Sequence, residues 1–113
     1  MEIVKKAIVS FNGKSEEVDA AVDTGAEQTM IDEEVLLKIG AVGAGDVGVI
    51  SAGEYREKKP VYGAMVEIDG CKFPLWVTGG RKNLIGHDFL QKAKAVIDES
   101  TGDVRLTKSW IEM

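Results

Sequence analysis

Short runs of alternating apolar and polar residues, separated by turn-forming pairs, make up most of this chain. Residues 3–11 are rich in β-branched residues, and a second run at 17–22 follows Asn12-Gly13. Residues 61–68 and 72–78 form two more runs on either side of Asp69-Gly70. Both pairs suit the two-residue type I′ turn, because that turn needs positive φ at both central positions. The pattern predicts two hairpins and, with the remaining short strands, an antiparallel all-β barrel or sandwich.

Three segments interrupt this alternation. Residues 87–94 place apolar side chains at helical spacing, which predicts a short helix near the C-terminus. Asp32 can serve as the N-cap of a second short helix at 33–39. Residues 40–53 hold five glycines, and this composition predicts a mobile stretch that leads into an extended arm.

The composition is that of an acidic globular domain. A length of 113 residues predicts one domain over residues 1–113. The net charge of −5 argues against nucleic acid as a partner. No run approaches the roughly 20 apolar residues of a membrane span, and the first residues lack the hydrophobic region of a signal peptide. We therefore expect no membrane partner and a cytoplasmic location.

Cysteine and histidine each occur once, as Cys71 and His87. A single cysteine cannot form an internal disulfide. One Cys and one His at no metal-like spacing also make a poor zinc site. We expect neither a metal nor another cofactor.

The main candidate for chemistry is an aspartate next to an apolar run. Residues 20–22 are Ala-Ala-Val, and Asp23-Thr24-Gly25 follows where the strand breaks into a turn. A buried charge costs free energy unless it is paired or hydrogen-bonded, and such carboxylates are concentrated at catalytic sites. Gly25 allows a tight turn that presents Asp23, and Thr24 can hydrogen-bond nearby backbone groups. Asp23, Thr24 and Gly25 are thus candidate catalytic residues, although the tripeptide alone also fits an ordinary Asx-turn.

One carboxylate is a weak hydrolytic device, whereas two can share a proton. Two carboxylates about 3 Å apart cannot both ionise, so one acts as general base on a water molecule while the other donates a proton. The chain supplies one such motif. If Asp23 is catalytic, its partner must come from a second copy across a two-fold axis, which predicts a homodimer.

A second motif lies about 60 residues further along, where residues 83–90 are Asn-Leu-Ile-Gly-His-Asp-Phe-Leu. Together with Val-Asp-Thr-Gly-Ala at 22–26 and with Thr29, it makes most of residues 15–98 resemble the retropepsin-type aspartic proteases. In that family a hydrophobic-hydrophobic-Gly strand packs beside the catalytic loop and precedes the C-terminal helix. The resemblance implies a retropepsin-like barrel with one short C-terminal helix, a homodimer, and hydrolysis of peptide bonds in peptides or proteins without a metal or covalent intermediate.

The resemblance also implies roles for individual residues. Asp23 corresponds to the catalytic carboxylate, Thr24 to a threonine that bonds across the dimer axis, and Gly25 to a glycine whose carbonyl meets the substrate backbone. Residues 49–53 correspond to the flap that closes over substrate. The predicted substrate-binding residues are Ala26, Glu27, Ile50, Ser51, Ala52, Gly53 and Ile85.

Two positions depart from the family pattern. Glu27 stands where the family usually has Asp, and His87 stands where it usually has Arg. These two positions tend to form an ion pair in the family. A Glu27–His87 contact would replace it and would depend on pH, because histidine titrates near neutrality. The alternative for His87 is a local hydrogen bond at the start of the helix.

The sequence leaves three interpretations open. The first is an active homodimeric aspartic endopeptidase. The second is a dimerisation or peptide-binding module that keeps the retropepsin fold without hydrolysis, which the departures at Glu27, His87 and the flap favour. The third is a monomer in which Asp23 is only a turn residue.

Overall fold

The computed structural model describes residues 2–51 and 55–109, and the side chains of these residues outside 46–58. Strands dominate this part of the chain, and two helices of six residues each accompany them. No helix among the described residues is long and apolar enough to cross a bilayer. The elements are β1 (Val4–Phe11), β2 (Lys14–Val22), β3 (Met30–Asp32), α1 (Glu33–Lys38), β4 (Val42–Ser51), β5 (Tyr55–Ile68), β6 (Cys71–Gly80), β7 (Leu84–Ile85), α2 (His87–Lys92), β8 (Val96–Asp98) and β9 (Asp103–Arg105).

Both predicted hairpins form at the predicted turns. Asn12 and Gly13 have φ of 49° and 86°, and Asp69 and Gly70 have φ of 50° and 80°. These are the positive values that a type I′ turn requires. The turns set the antiparallel register of β1 with β2 and of β5 with β6. The prediction from the two dipeptides is confirmed.

The sheet itself is mixed. Seven strands lie in the order β1-β2-β7-β3-β6-β5-β4, and β1 also pairs with β5, which curls the sheet towards a closed barrel. The pairings of β2 with β7 and of β3 with β6 are parallel. The alternation pattern predicts antiparallel neighbours throughout, which is wrong for these two pairs. The strands concerned are far apart in sequence, so no tight turn fixes their relative direction.

The glycine-rich segment is extended where the structure describes it. β4 pairs antiparallel with β5, with an irregularity in register between Gly43 and Asp46. Gly45 lies inside this irregularity with φ of 103°, a conformation that favours glycine. The composition of this segment predicts a mobile stretch. In the structure, cross-strand pairing with β5 instead holds it as a strand. Pro60 fits within β5 because β6 pairs with β5 from Val61 onward, which leaves Pro60 with a partner strand on one side.

The core joins the barrel to the two helices. The second helix, predicted at 87–94, begins at His87 and ends at Lys92. Its Phe89 is fully buried and meets Phe73 of β6 edge to face, with ring centroids 5.5 Å apart. Burial of such a side chain contributes roughly 1.5–3 kcal/mol. The first helix, predicted at 33–39, also forms, with Asp32 accepting a hydrogen bond from the backbone N–H of Glu34 as its N-cap.

Candidate active site

The Asp-Thr-Gly tripeptide lies at the end of β2, between two other parts of the sheet. The backbone N–H of Val22 donates to the carbonyl of Ile3, 2.8 Å away, and the N–H of Asp23 donates to the carbonyl of Ile85, 2.9 Å away. The segment from Asp23 to Thr29, named the catalytic turn after the role predicted for Asp23, therefore leaves the sheet from a fixed point.

The carboxylate of Asp23 is oriented by its own turn. Its Oδ1 accepts a hydrogen bond of 2.9 Å from the backbone N–H of Gly25, and the N–H of Ala26 donates to the Asp23 carbonyl over 3.2 Å. A Cβ at position 25 would lie 3.3 Å from Oδ1, closer than most real Cβ contacts. A side chain at position 25 would therefore displace the Asp23 carboxylate by a few tenths of an ångström. The Oδ1 bond is also that of an ordinary Asx-turn, so the local geometry is common to both interpretations of the tripeptide.

The catalytic turn is more open than the sequence predicts. The apolar run before Asp23 predicts a buried carboxylate, whereas Asp23 is half-buried and Thr24 and Gly25 are exposed. Ala26 is half-buried and Glu27 is exposed. The reason is that one chain covers the turn from the side of the sheet and leaves its outer face to solvent.

The second sequence motif packs directly against the catalytic turn. The backbone N–H of His87 donates to the carbonyl of Ala26 at a distance of 2.7 Å, and the N–H of Asp88 donates to the carbonyl of Glu27 at 3.2 Å. A Cβ on Gly86 would lie 2.6 Å from the carbonyl carbon and oxygen of Gln28. Backbone atoms cannot move aside as a flexible side chain can, so glycine alone fits at position 86.

A partly buried polar cluster, the Thr29–Asp88 clamp, connects the two motifs. The Oδ1 of Asp88 accepts from the Thr29 hydroxyl at 2.7 Å, and its two oxygens lie 3.0 and 3.1 Å from the Thr29 backbone nitrogen. The Thr29 hydroxyl in turn accepts from the N–H of Gly86 at 3.1 Å. Thr29 is fully buried, so these bonds satisfy groups that have no access to water.

The sequence prediction of the site did not include Asp88 among its residues. The available signal was the hydroxyl of Thr29 directly before the apolar pair Met30-Ile31 of β3, since a buried hydroxyl needs a partner. Nothing local indicates that the partner lies 59 residues away. Thr78 was also missed: its N–H donates to the Thr29 carbonyl and its hydroxyl donates to the side chain of Gln28, both over 3.0 Å.

The expected contact between Glu27 and His87 does not form within the described chain. Both side chains are exposed, and no ion pair joins them. The two positions are instead connected through backbone hydrogen bonds of their segments. The pH-dependent ion pair predicted for this position is therefore not found.

The predicted substrate-binding residues lie in several places. Ile85 is fully buried in the single chain, where its carbonyl supports Asp23, and its contact with substrate stays a prediction. Ile50 and Ser51 end β4, opposite Arg56 and Tyr55 of β5. Ala52 and Gly53, at the expected flap tip, lie outside the described residues.

The described residues hold no group of three or more His, Cys, Asp or Glu side chains that could bind a metal ion.

Comparison with known proteins identifies the family. The family described as "gag-polyprotein putative aspartyl protease" matches residues 7–92, which include both sequence motifs. The chain belongs to this family. No curated protein sequence matches it.

A solved structure shows the same fold. The EIAV protease complexed with the inhibitor HBY-793 matches 87% of this chain and 93% of its own, with a TM-score of 0.66 and 14% sequence identity. Although the sequence identity is low, the TM-score over nearly complete coverage shows that the two chains share a backbone architecture. The predicted retropepsin-like all-β fold is therefore confirmed, with two short helices in the described chain.

Proposed function

We propose that this protein is a homodimeric aspartic endopeptidase in which two Asp23 carboxylates, one from each chain, form the catalytic dyad. The observation that carries the proposal is the state of Asp23 in one chain. The N–H of Gly25 holds the carboxylate at the end of β2. Asp23 is nevertheless only half-buried, and Thr24 and Gly25 next to it are exposed. A second chain at this open face would supply both the missing carboxylate and the missing cover.

The dyad would work with one shared proton. The ionised carboxylate takes a proton from a water molecule as the water oxygen attacks the carbonyl carbon of the peptide bond. The protonated carboxyl gives its proton to the carbonyl oxygen, so that a tetrahedral diol forms. The diol then collapses: the C–N bond breaks, the nitrogen receives a proton from the dyad, and a diol hydroxyl returns one. Positioned acid–base groups of this kind typically contribute about 10²–10⁴-fold in rate.

The surrounding contacts support this chemistry by fixing geometry. Catalytic groups must be held to within about 0.5 Å by packing and by neighbouring hydrogen bonds. The Gly25 N–H holds Oδ1 of Asp23, and the carbonyl of Ile85 holds its backbone. The Thr29–Asp88 clamp fixes the other end of the catalytic turn. We propose peptides or proteins as substrates, cleaved between hydrophobic residues.

The decisive test replaces Asp23 with Asn. The amide oxygen can still accept from Gly25, so the turn and the dimer should persist while the dyad loses its ionisable pair. We expect cleavage of a denatured protein substrate to fall at least about 100-fold. Asp19→Asn is the matched control, because Asp19 is an exposed acid on β2, the strand that Asp23 follows, and is paired with Lys6 at 3.2 Å. Equal cleavage by the Asp23→Asn variant and the parent would refute the proposal.

A second function is favoured by the arrangement at Glu27 and His87. Because no ion pair braces these two exposed side chains, a non-catalytic dimerisation or peptide-binding module is the alternative. This alternative predicts that a broad peptide library remains intact at every pH from acid to neutral. Any cleavage that requires Asp23 excludes it.

A further inference from the structure

Met30 lies on the same face of the sheet as the candidate catalytic aspartate. It is the first residue of β3 and pairs with Leu84 of β7, which in turn pairs with Ala21 of β2. Paired residues on neighbouring strands point to the same face, and so do residues two apart along one strand. Asp23 comes two residues after Ala21, so Met30 and Asp23 belong to one surface.

The thioether of Met30 is packed against a glycine of the next strand. A Cβ on Gly80 of β6 would collide with Sδ of Met30 and would lie 2.9 Å from its Cγ and 3.2 Å from its Cε. The end of the methionine side chain therefore occupies the space that a side chain at position 80 would need. On this side of the sulfur there is no room for an added atom.

The same side chain is within reach of small oxidants. Met30 is half-buried, whereas Thr29 and Ile31 on either side of it are fully buried. A thioether needs no deprotonation to react: its sulfur takes one oxygen atom from hydrogen peroxide, the O–O bond breaks, and water leaves. The product is methionine sulfoxide, whose polar side chain disrupts apolar packing.

The single cysteine of the chain is less suited to respond to an oxidant. Thiols react as thiolates. Burial, followed by the charges of Asp69 and Glu67, raises the pKa of the Cys71 thiol above its ordinary value of 9.0. Cys71 therefore stays protonated near neutral pH, and it lies at the opposite end of β6 from Gly80.

We propose that Met30 is a reversible oxidation site through which hydrogen peroxide inactivates the candidate active site. Oxidation adds a polar oxygen to a surface shared with Asp23 and forces the side chain away from Gly80. Because Met30 directly follows Thr29, the displacement also reaches the Thr29–Asp88 clamp.

The modification can be undone by reduction. A methionine sulfoxide reductase, with a dithiol that becomes a disulfide, returns the thioether and releases the oxygen as water. The inference rests on the proposed function in one respect, because the activity that oxidation removes is the cleavage assigned to Asp23.

Peroxide treatment of the full chain tests the proposal, with Cys71→Ser in every protein so that no thiol contributes. Peptide mapping by mass spectrometry follows the addition of one oxygen at each methionine, and urea unfolding and cleavage are measured on the same samples. We expect oxidation at Met30 to lower the urea midpoint and, by displacing groups beside Asp23, to reduce cleavage at least about tenfold. Met30→Leu should keep both values after treatment, and a reductase should restore both in the oxidised parent.

Met65 supplies the matched control. The described residues contain two methionines, Met30 and Met65, and both are half-buried. Met65 lies on β5 opposite Pro74, outside the row that joins Met30 to Ala21. Met65→Leu should therefore lose stability and cleavage on treatment as the parent does.

A second variant reproduces the oxidised state without an oxidant. Met30→Gln places a polar side chain of similar length at position 30, so it should unfold and cleave like the oxidised parent. Met65→Gln should behave like the untreated parent. If Met30→Gln fails to fold, the comparison of the treated parent with treated Met30→Leu still decides the question.

The outcomes separate this inference from the proposed function. The inference is overturned, and the protease proposal left intact, if treated Met30→Leu loses as much stability and cleavage as the treated parent. It is also overturned if Met30 stays unmodified while Met65 is oxidised, or if Met30→Gln unfolds and cleaves like the untreated parent. A reversible, Met30-dependent fall in the urea midpoint without any Asp23-dependent cleavage would support the oxidation site and contradict the protease.

Discussion

The catalytic turn and the β8–β9 hairpin border one groove, which Thr24 and Ile97 both line. Contacts between residues far apart in sequence stabilise the turn, whereas mostly local contacts stabilise the hairpin. The catalytic turn is braced by residues 57 to 59 positions away in sequence, through Gly86 and Asp88. The hairpin is held by its own cross-strand pairs and by a base contact to Ala93. A single chain thus completes the inner side of the catalytic turn, and within the described residues β8 and β9 pair with each other alone.

Two aspartates, Asp88 beside the catalytic turn and Asp98 in the hairpin, show the same difference between distant and local hydrogen bonds. Asp88 is half-buried and accepts hydrogen bonds from Thr29, far away in sequence. Asp98 is exposed and accepts from the hydroxyl of Ser100 at 2.6 Å and from its N–H at 3.0 Å. The first carboxylate joins two segments of the fold, whereas the second shapes a local turn. Changes at the two sites should therefore differ in size.

The largest effect is expected from Gly86→Ala. The new methyl group would lie 2.6 Å from backbone atoms of Gln28, so the two motifs would have to separate. We expect a loss of more than about 3 kcal/mol in the free energy of unfolding, measured in urea, together with loss of cleavage. Gly43→Ala is the control, because its Cβ would find its nearest neighbour, a ring carbon of Tyr62, at 3.8 Å. Equal stability of the two variants would show that the backbone of residues 26–28 can move away from position 86.

The next effect is expected from Asp88→Ala. Removal of the carboxylate leaves the buried N–H and hydroxyl of Thr29 without their acceptor. The cost should be about 2–3 kcal/mol of unfolding free energy, and Asp88→Asn should cost about 1 kcal/mol, since its amide oxygen can replace Oδ1. Chemical unfolding at one fixed protein concentration measures both. If Asp88→Ala were as stable as Asp88→Asn, the clamp would not stabilise the turn.

The smallest effect is expected at the hairpin and depends on pH. Hydrogen bonds from the hydroxyl and the N–H of Ser100 lower the pKa of Asp98 below its ordinary value of 3.8. A lowered folded-state pKa contributes stability that is present above the ordinary value and is lost as the pH falls through the folded value. The stability difference between the parent and Asp98→Ala should therefore be constant near neutrality and shrink below about pH 4.

Urea unfolding of the two proteins at pH 6 and at pH 3 checks this expectation. Asp103→Ala is the control on the paired strand, because Asp103 is the residue opposite Asp98 in the register. A difference between the parent and Asp98→Ala that stays the same at both pH values would show that the Ser100 bonds do not contribute to folding.

Local features of the fold followed directly from the sequence. The hairpin turns at Asn12-Gly13 and Asp69-Gly70 were predictable because few residues tolerate positive φ at both positions. The C-terminal helix was predictable because its apolar residues recur at helical spacing. In each case the cause lies within a few residues of its effect.

Other features could not be predicted because their causes are distant in sequence. The parallel pairings of β2 with β7 and β3 with β6 connect strands that no tight turn joins. The half-exposure of Asp23 depends on which elements cover the turn, and the apolar run before it predicted the opposite. Asp88 became part of the site only through a partner 59 residues away.

The sequence by itself determined the hairpins, the C-terminal helix and the family to which the chain belongs, because turn chemistry, periodicity and motif residues act locally. Tertiary structure alone decided that Gly86 must be a glycine against Gln28, that Asp88 holds Thr29, and that Thr24 and Ile97 share one groove. These facts depend on excluded volume and on the satisfaction of buried polar groups, and both arise only when distant segments meet.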